Sequence, residues 1–208
     1  MAGSSAQRTR ALRSDAQQNV ERILEAAITC LGRDPDASMA EIARCAGVGR
    51  VTLYGHFASR EALVDAALAR LIERGNQAQA GVDLSGDPRQ ALVALVESSW
   101  LLTAQAGAVL EAATELLPPG RIHELHAEPE RRVAELIRRG QREGVFRDDL
   151  PAAWLANVLH YLVKGAAADV TAGRLDRAEV PRLLAETALG AYGPPRAEIP
   201  TAGPSATG

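Results

Sequence analysis

Three observations predict an all-α fold. Alanine, leucine and arginine dominate a chain of 208 residues that is 47% hydrophobic and only 3% aromatic, a composition that favours helix over strand. Apolar residues recur at helical spacing along most of the chain. Glycine and proline gather between those apolar stripes, where they punctuate helices. The length suits one large or two small domains with a real, aliphatic core.

The first helix is expected from Asp15, a good N-cap, with Val20, Ile23, Leu24, Ala27, Ile28 and Leu31 as one stripe. Residues 1–14, polar and carrying Arg8, Arg10 and Arg13, are expected as a flexible basic arm. Ser38 opens a second helix, and Glu41 three residues later makes a capping box. Gly47 ends it as a left-handed cap. Gly49 begins a very short helix to about Gly55. Ser59 caps a longer one that is expected to end at Gly75.

Residues 76–88, "NQAQAGVDLSGDP", are polar and mark the domain boundary. Helices are then expected over 89–105, 108–117, a short stretch at 122–126, 129–143, 151–172 and 178–192. This makes about nine helices in two domains, 15–75 and 76–192, followed by a proline-bearing disordered tail over 193–208.

Charge says little about the whole chain. The net charge is −3. Residues 1–75 carry 10 Arg against 9 acidic residues and the remainder is acidic, so a mildly basic front precedes an acidic rear. Cys30 and Cys45 do not make a disulfide scaffold; buried thiols in a cytoplasmic protein are the expectation. No signal-peptide core opens the chain. The longest apolar helix, near residues 151–172, is broken by Asn157, His160, Lys164 and Asp169 and is not a membrane span.

The chemically distinctive residues gather in "GVGRVTLYGHFASREALV", Gly47 to Val64. Two short helices joined by a glycine turn read as a helix-turn-helix. Val48, Leu53 and Phe57 plug its interior. Arg50, Val51, Tyr54 and Gly55 share one face, with Thr52 at its edge. A second helix of this kind lies in the DNA major groove. Arg50 can donate two bonds to guanine. Val51 and Thr52 can meet a thymine methyl, and Tyr54 and His56 can donate to phosphates. Arg60 sits in the first turn of the next helix, where free amides favour an anion.

The segment "SMAEIARCAGVGRVTLYGHFASREALV" resembles the DNA-binding segment of TetR-family transcriptional regulators, which typically runs "IA..AGVS...LY.HF.SKE.L". The likeness is dense over residues 38–64; beyond it only the layout is similar. The resemblance implies an all-α homodimer that binds double-stranded DNA at a palindromic operator. It implies a repressor that an unknown small-molecule effector releases by moving the helix after Ser59. Its DNA-contact positions fall on Ser38, Arg50, Val51, Thr52, Tyr54, Gly55, His56 and Arg60. Two departures stand out: Gly49 where the family often has serine, and Gly55 where many members carry a larger side chain.

Outside this motif, Trp100, Thr103, Glu111, Thr114, Trp154, Asn157 and Tyr161 are expected to line the effector pocket, as aromatic or polar residues in otherwise apolar helices. His160 is a further candidate. A homodimer is expected through the region of Leu155, Leu159, Leu162, Leu183 and Leu184. "HELH" at His123–His126 lacks the zincin spacing and is read as solvated or pocket-lining, so no metal or cofactor is expected. No nucleophile–base pair is defensible, so no catalytic residue and no enzyme are expected. The alternative keeps the DNA-binding fold but gates it by a protein partner or thiol redox, with no small-molecule pocket.

Overall fold

The computed structural model describes residues 3–118 and 120–194; the side chains of residues 3–15, 99, 101 and 103–105 lie outside the described ones. The expected tail over 193–208 therefore lies almost wholly outside them. Eight helices and no strand occur among the described residues: α1 (Gly3–Leu31), α2 (Met39–Ala46), α3 (Arg50–His56), α4 (Arg60–Ala80), α5 (Pro88–Leu116), α6 (Arg121–Arg142), α7 (Ala152–Thr171) and α8 (Val180–Tyr192).

The caps follow the sequence closely. Ser38 Oγ accepts from the Glu41 amide at 3.3 Å, and Glu41 Oε2 accepts from the Ser38 amide at 2.9 Å. These bonds from Ser38 hold the Glu41 carboxyl below its ordinary range. Gly47 ends α2 at φ 64°, a left-handed conformation that only glycine adopts without strain. Ser59 caps α4 by accepting from the Ala62 amide at 3.1 Å.

Four helix boundaries differ from expectation. The α1 backbone is helical from Gly3, well before Asp15; no proline or glycine between residues 4 and 31 breaks it. Helix α4 runs through Gly75 to Ala80. A mid-helix glycine costs only about 1 kcal/mol, and anchoring holds the last turn. Gln79 is buried, and its carbonyl accepts from Arg132 Nη2 at 2.6 Å. Helix α5 is continuous across the break expected near Gln105–Ala108, and Ala106, Val109 and Leu110 around and beyond it pack against the core of α1–α4. Helix α6 likewise contains Pro129, expected as the first residue of a new helix. The ring removes one amide donor there, while apolar contacts continue from Ile122 and Leu125 to Ala134 and Ile137.

Two cores result. The first joins α1–α4, through Ile23, Leu31, Ile42, Leu53, Leu63 and Leu68, to the C-terminal half of α5. The second joins the N-terminal half of α5 to α6, α7 and α8 around Leu92, Trp100, Ile137, Leu155 and Tyr192. Helix α5 thus belongs to both. Two ion pairs, Arg70 with Glu21 and Arg74 with Glu25, tie α4 to α1. At the far end the Tyr192 hydroxyl donates to the Leu155 carbonyl at 2.5 Å.

Candidate nucleic-acid interface and effector cavity

The turn at Gly47 sets α3 across α2. The Val48 amide donates to the Ala43 carbonyl at 3.0 Å, which completes the helix end. Leu53 (0% exposed) and Phe57 point into the first core and fix the roll of α3. Its opposite face is open. Arg50 and Gly55 are exposed, Val51 is 89% exposed and Tyr54 is 51% exposed. Thr52 and His56 are half-buried at the edges of this face.

Gly49 is the N-cap of α3 and supplies no side-chain bond. Its φ of −70° needs no glycine. A Cβ there would have Thr52 Oγ1 at 4.0 Å as its nearest neighbour, and one on Gly55 would meet nothing within 4 Å. Helix α3 is therefore short, uncapped by a side chain and interrupted by a glycine that packing does not demand.

Arg60 has a different setting from the one expected. Its Nε donates to the Ala37 carbonyl at 3.2 Å and its Nη2 to the Pro35 carbonyl. The half-buried guanidinium thus ties the start of α4 to the loop that leads into the Ser38 cap. Ser38 itself is exposed but engaged with Glu41.

A cavity of about 1250 Å³ lies between α4, α5, α6 and α7, and the end of α1 reaches its rim. Leu68, Leu71, Ile72, Leu110, Val133, Leu159 and Val163 give aliphatic walls. Glu111 and Thr114, expected in the pocket, do line it. Trp100 does not: it is buried in the second core, with its Nε1 lacking a hydrogen-bond partner. Trp154, Asn157 and Tyr161 are also absent from its walls, and the Thr103 side chain lies outside the described residues. The reason is register. Residues 154, 157 and 161 follow one helical stripe of α7, and that stripe faces outward; Trp154 is 54% exposed and Tyr161 66% exposed. The inward stripe carries Leu155, Ala156, Leu159 and Ala167.

The residues expected at a dimer contact divide by burial. Leu155, Leu159 and Leu184 are buried within the chain, while Leu162 and Leu183 are half-buried.

Gln79, His126 and Glu130 also line the cavity, as does His160. Gln79 is only 9% exposed, and its Oε1 has no partner. It was illegible in the sequence because α4 was expected to stop at Gly75. Extending the stripe of Leu68, Leu71 and Gly75 by one turn reaches it. His126 Nδ1 lies 2.9 Å from the Ile122 carbonyl. A carbonyl only accepts, so Nδ1 carries a proton and donates it there. The His126 and His160 rings meet edge-on with centroids 5.6 Å apart. Burial is the main cause that lowers the His160 pKa, with His126 and Lys164 adding to it and Glu130 opposing. His123, by contrast, turns outward near Glu130. No group of three or more metal-ligating side chains occurs among the described residues.

No helix of the described residues is long and apolar enough to cross a membrane. Residues 23–67 match the family model described as bacterial regulatory proteins, tetR family. None of the curated proteins matches. Many solved structures are similar. The TetR-like transcriptional regulator LfrR from Mycobacterium smegmatis, solved with proflavine, shares 21% identity at a TM-score of 0.69, over 85% of this chain and 98% of that one. The fatty acid degradation regulator FadR from Bacillus halodurans shares 18% at a TM-score of 0.71, over 82% and 94%. A TetR-family transcriptional regulator from Agrobacterium tumefaciens shares 19% at a TM-score of 0.68, over 86% and 99%. At these identities the likeness shows the fold.

Proposed function

From a tetR-family DNA-binding segment set on a TetR-like fold, we propose that this chain is a transcriptional repressor that binds a palindromic operator as a homodimer and leaves it when a small molecule enters the cavity. One observation carries the reading: α4 belongs to both sites. Its first half, through Leu63, Val64, Ala67 and Leu68, is part of the core that holds α2 and α3. Its second half, through Leu71, Ile72, Gly75, Asn76 and Gln79, is a wall of the cavity. A ligand that moves this wall moves the frame of the recognition helix.

Arg50, Val51, Thr52 and Tyr54 read or grip the DNA, and Gly55 allows close approach. His56 donates to phosphate from the edge. Ser38 and Arg60 support the contact by holding the start of α2. The second copy is met by the outward stripe of α7, Trp154, Asn157 and Tyr161, together with Leu162 and Leu183. The cavity weighs against the alternative of a regulator with no small-molecule pocket. Its volume matches or exceeds the usual few hundred to about 1000 Å³ of ligand sites.

The test is to mix the purified protein with fragmented DNA from its own organism and sequence what is retained. Recovery of a palindromic site supports the reading. No enrichment, even at low salt and with protein shown free of co-purified ligand, would overturn it.

A further inference from the structure

Gln79, on the last turn of α4, is the one buried polar side chain among the described residues. Its side-chain oxygen has no hydrogen-bond partner. A buried amide oxygen gives up its bonds to water on folding and costs stability unless something replaces them. An orphan of this kind needs a physical reason. The anchor from Arg132 does not supply one, because it reaches the main-chain carbonyl of Gln79 and leaves the side chain alone. That side chain forms part of the cavity wall.

The rest of the buried wall is aliphatic: Leu68, Leu71, Ala156, Leu159 and Ala167 line the cavity and are buried. Charge belongs to its open positions. Arg33, Glu111, Glu115, Lys164 and Arg177 line it but are exposed, and they put both signs at the mouth. Glu25 and Arg74 pair with each other, and the half-buried Glu130 lies 3.7 Å from His123. Among the described residues, the rings that line the cavity are the imidazoles of His126 and His160. They meet each other edge-on. A planar aromatic ligand finds no phenyl, phenol or indole face there to stack on.

We propose that the cavity takes a neutral aliphatic alcohol, long-chain or alicyclic, and that Gln79 selects it by accepting the hydrogen bond of its hydroxyl. The apolar body lies against the leucine walls. The hydroxyl meets the side-chain oxygen of Gln79, which a turn about the last torsion, broad in glutamine, presents to the cavity. A polar group set in an apolar wall discriminates well, because a ligand without the matching donor leaves it unpaired. A carboxylate brings no donor to that oxygen. An ammonium would lose its hydration with no buried carboxylate among the described residues to replace it. This deepens the proposed function and rests on its premise that the cavity is the effector site.

The experiment uses the full chain, shown free of co-purified lipid by mass spectrometry of an organic extract. It is titrated calorimetrically with 1-decanol and with the methyl ether of 1-decanol, which keeps the chain and the oxygen but has no donor. Decanoate, decylammonium and the planar cation 9-aminoacridine are run in parallel. Expected is binding of 1-decanol roughly tenfold or more tighter than any of the other four. In Gln79→Met the alcohol should fall to the level of the ether, while the ether holds. The Arg132 bond is to the main chain and survives the change, and loss of an unpaired acceptor should leave the melting temperature level or higher. Gln79→Leu repeats the test should the first variant fold poorly. Equal affinity for alcohol and ether in the parent, an unchanged preference in the variants, tighter binding of a charged probe, or no binding of 1-decanol would each overturn the assignment. A lower melting temperature in both variants would make Gln79 a residue of the fold and overturn it as well. No DNA enters the titration, so a failed operator search leaves its result standing, and a failed titration leaves the operator search standing.

Discussion

Arg121 holds Asp65 with both arms of its guanidinium, Nε to Oδ1 at 2.7 Å and Nη2 to Oδ2 at 3.1 Å. Arg121 is the first residue of α6, and Asp65 lies early in α4, between the core residues Val64 and Ala67. The pair therefore joins a helix of the cavity to the helix that frames the DNA-binding unit. A forked arginine–carboxylate contact fixes orientation as well as distance. In Arg121→Ala and Asp65→Asn, the effector's influence on operator affinity is expected to shrink roughly threefold or more, while effector binding itself changes little. Parallel titrations with DNA and with effector check this. Equal loss of both affinities would point to general unfolding instead.

Gly55→Ala is expected to stabilise the protein by about 1 kcal/mol. The position is exposed on α3, and a Cβ there meets nothing within 4 Å. Urea denaturation of parent and variant measures it. If stability rises while operator binding falls, the missing side chain is there for the DNA.

Gly47→Ala should do the opposite. At φ 64° a Cβ crowds the backbone, which costs about 1–2 kcal/mol. Denaturation midpoints check the sign, and an unchanged midpoint would show that the turn relaxes freely.

Arg50 and Arg60 should separate cleanly. Arg50 is exposed on α3. Arg50→Ala is expected to cost about 1–3 kcal/mol of operator binding and to relax one base preference, with no change in the melting temperature. Arg60→Ala removes the bonds to the Pro35 and Ala37 carbonyls. It should lower the melting temperature and weaken all DNA sequences alike. Identical behaviour of the two variants across a set of operators would contradict this division.

Acid should weaken the fold through His160. Burial, aided by His126 and Lys164, holds its pKa below the ordinary value of 6.5, against a smaller opposing pull from Glu130. As pH falls, the unfolded chain takes up its proton before the folded one does. The contribution is intact above the ordinary value and is lost progressively below it. Thermal melts between about pH 7.5 and 5 should show the decline, and His160→Gln should flatten it. An equal decline in the variant assigns the effect to other groups.

The DNA-binding unit was legible because local signals carried it. Ser38 with Glu41, the glycine at 47, and the alternation of Leu53 and Phe57 with Arg50 and Tyr54 are all short-range patterns that tertiary packing then confirmed. The cavity was less legible because it depends on which side of a long helix faces inward. The chemistry of Trp154 and Tyr161 suggests a pocket, yet their register on α7 turns them outward. Gln79 was missed for the opposite reason. A glycine at 75 suggests an end, and the burial of Gln79 with the bond from Arg132 to its carbonyl, a contact across 53 residues, anchors the turn beyond it.

Helix α4 has 21 residues, so it is a rod of about 31 Å at 1.5 Å per residue. A tilt of about five degrees at the cavity end sweeps the other end through nearly 3 Å, on the order of one hydrogen-bond length. Under the proposed function, gearing of that kind would let a ligand too small to reach the DNA shift α3 by a full contact. It also makes stiffness a functional property of the rod. Gly75, the one residue of α4 with no side chain to brace its turn, is where such gearing would have its give.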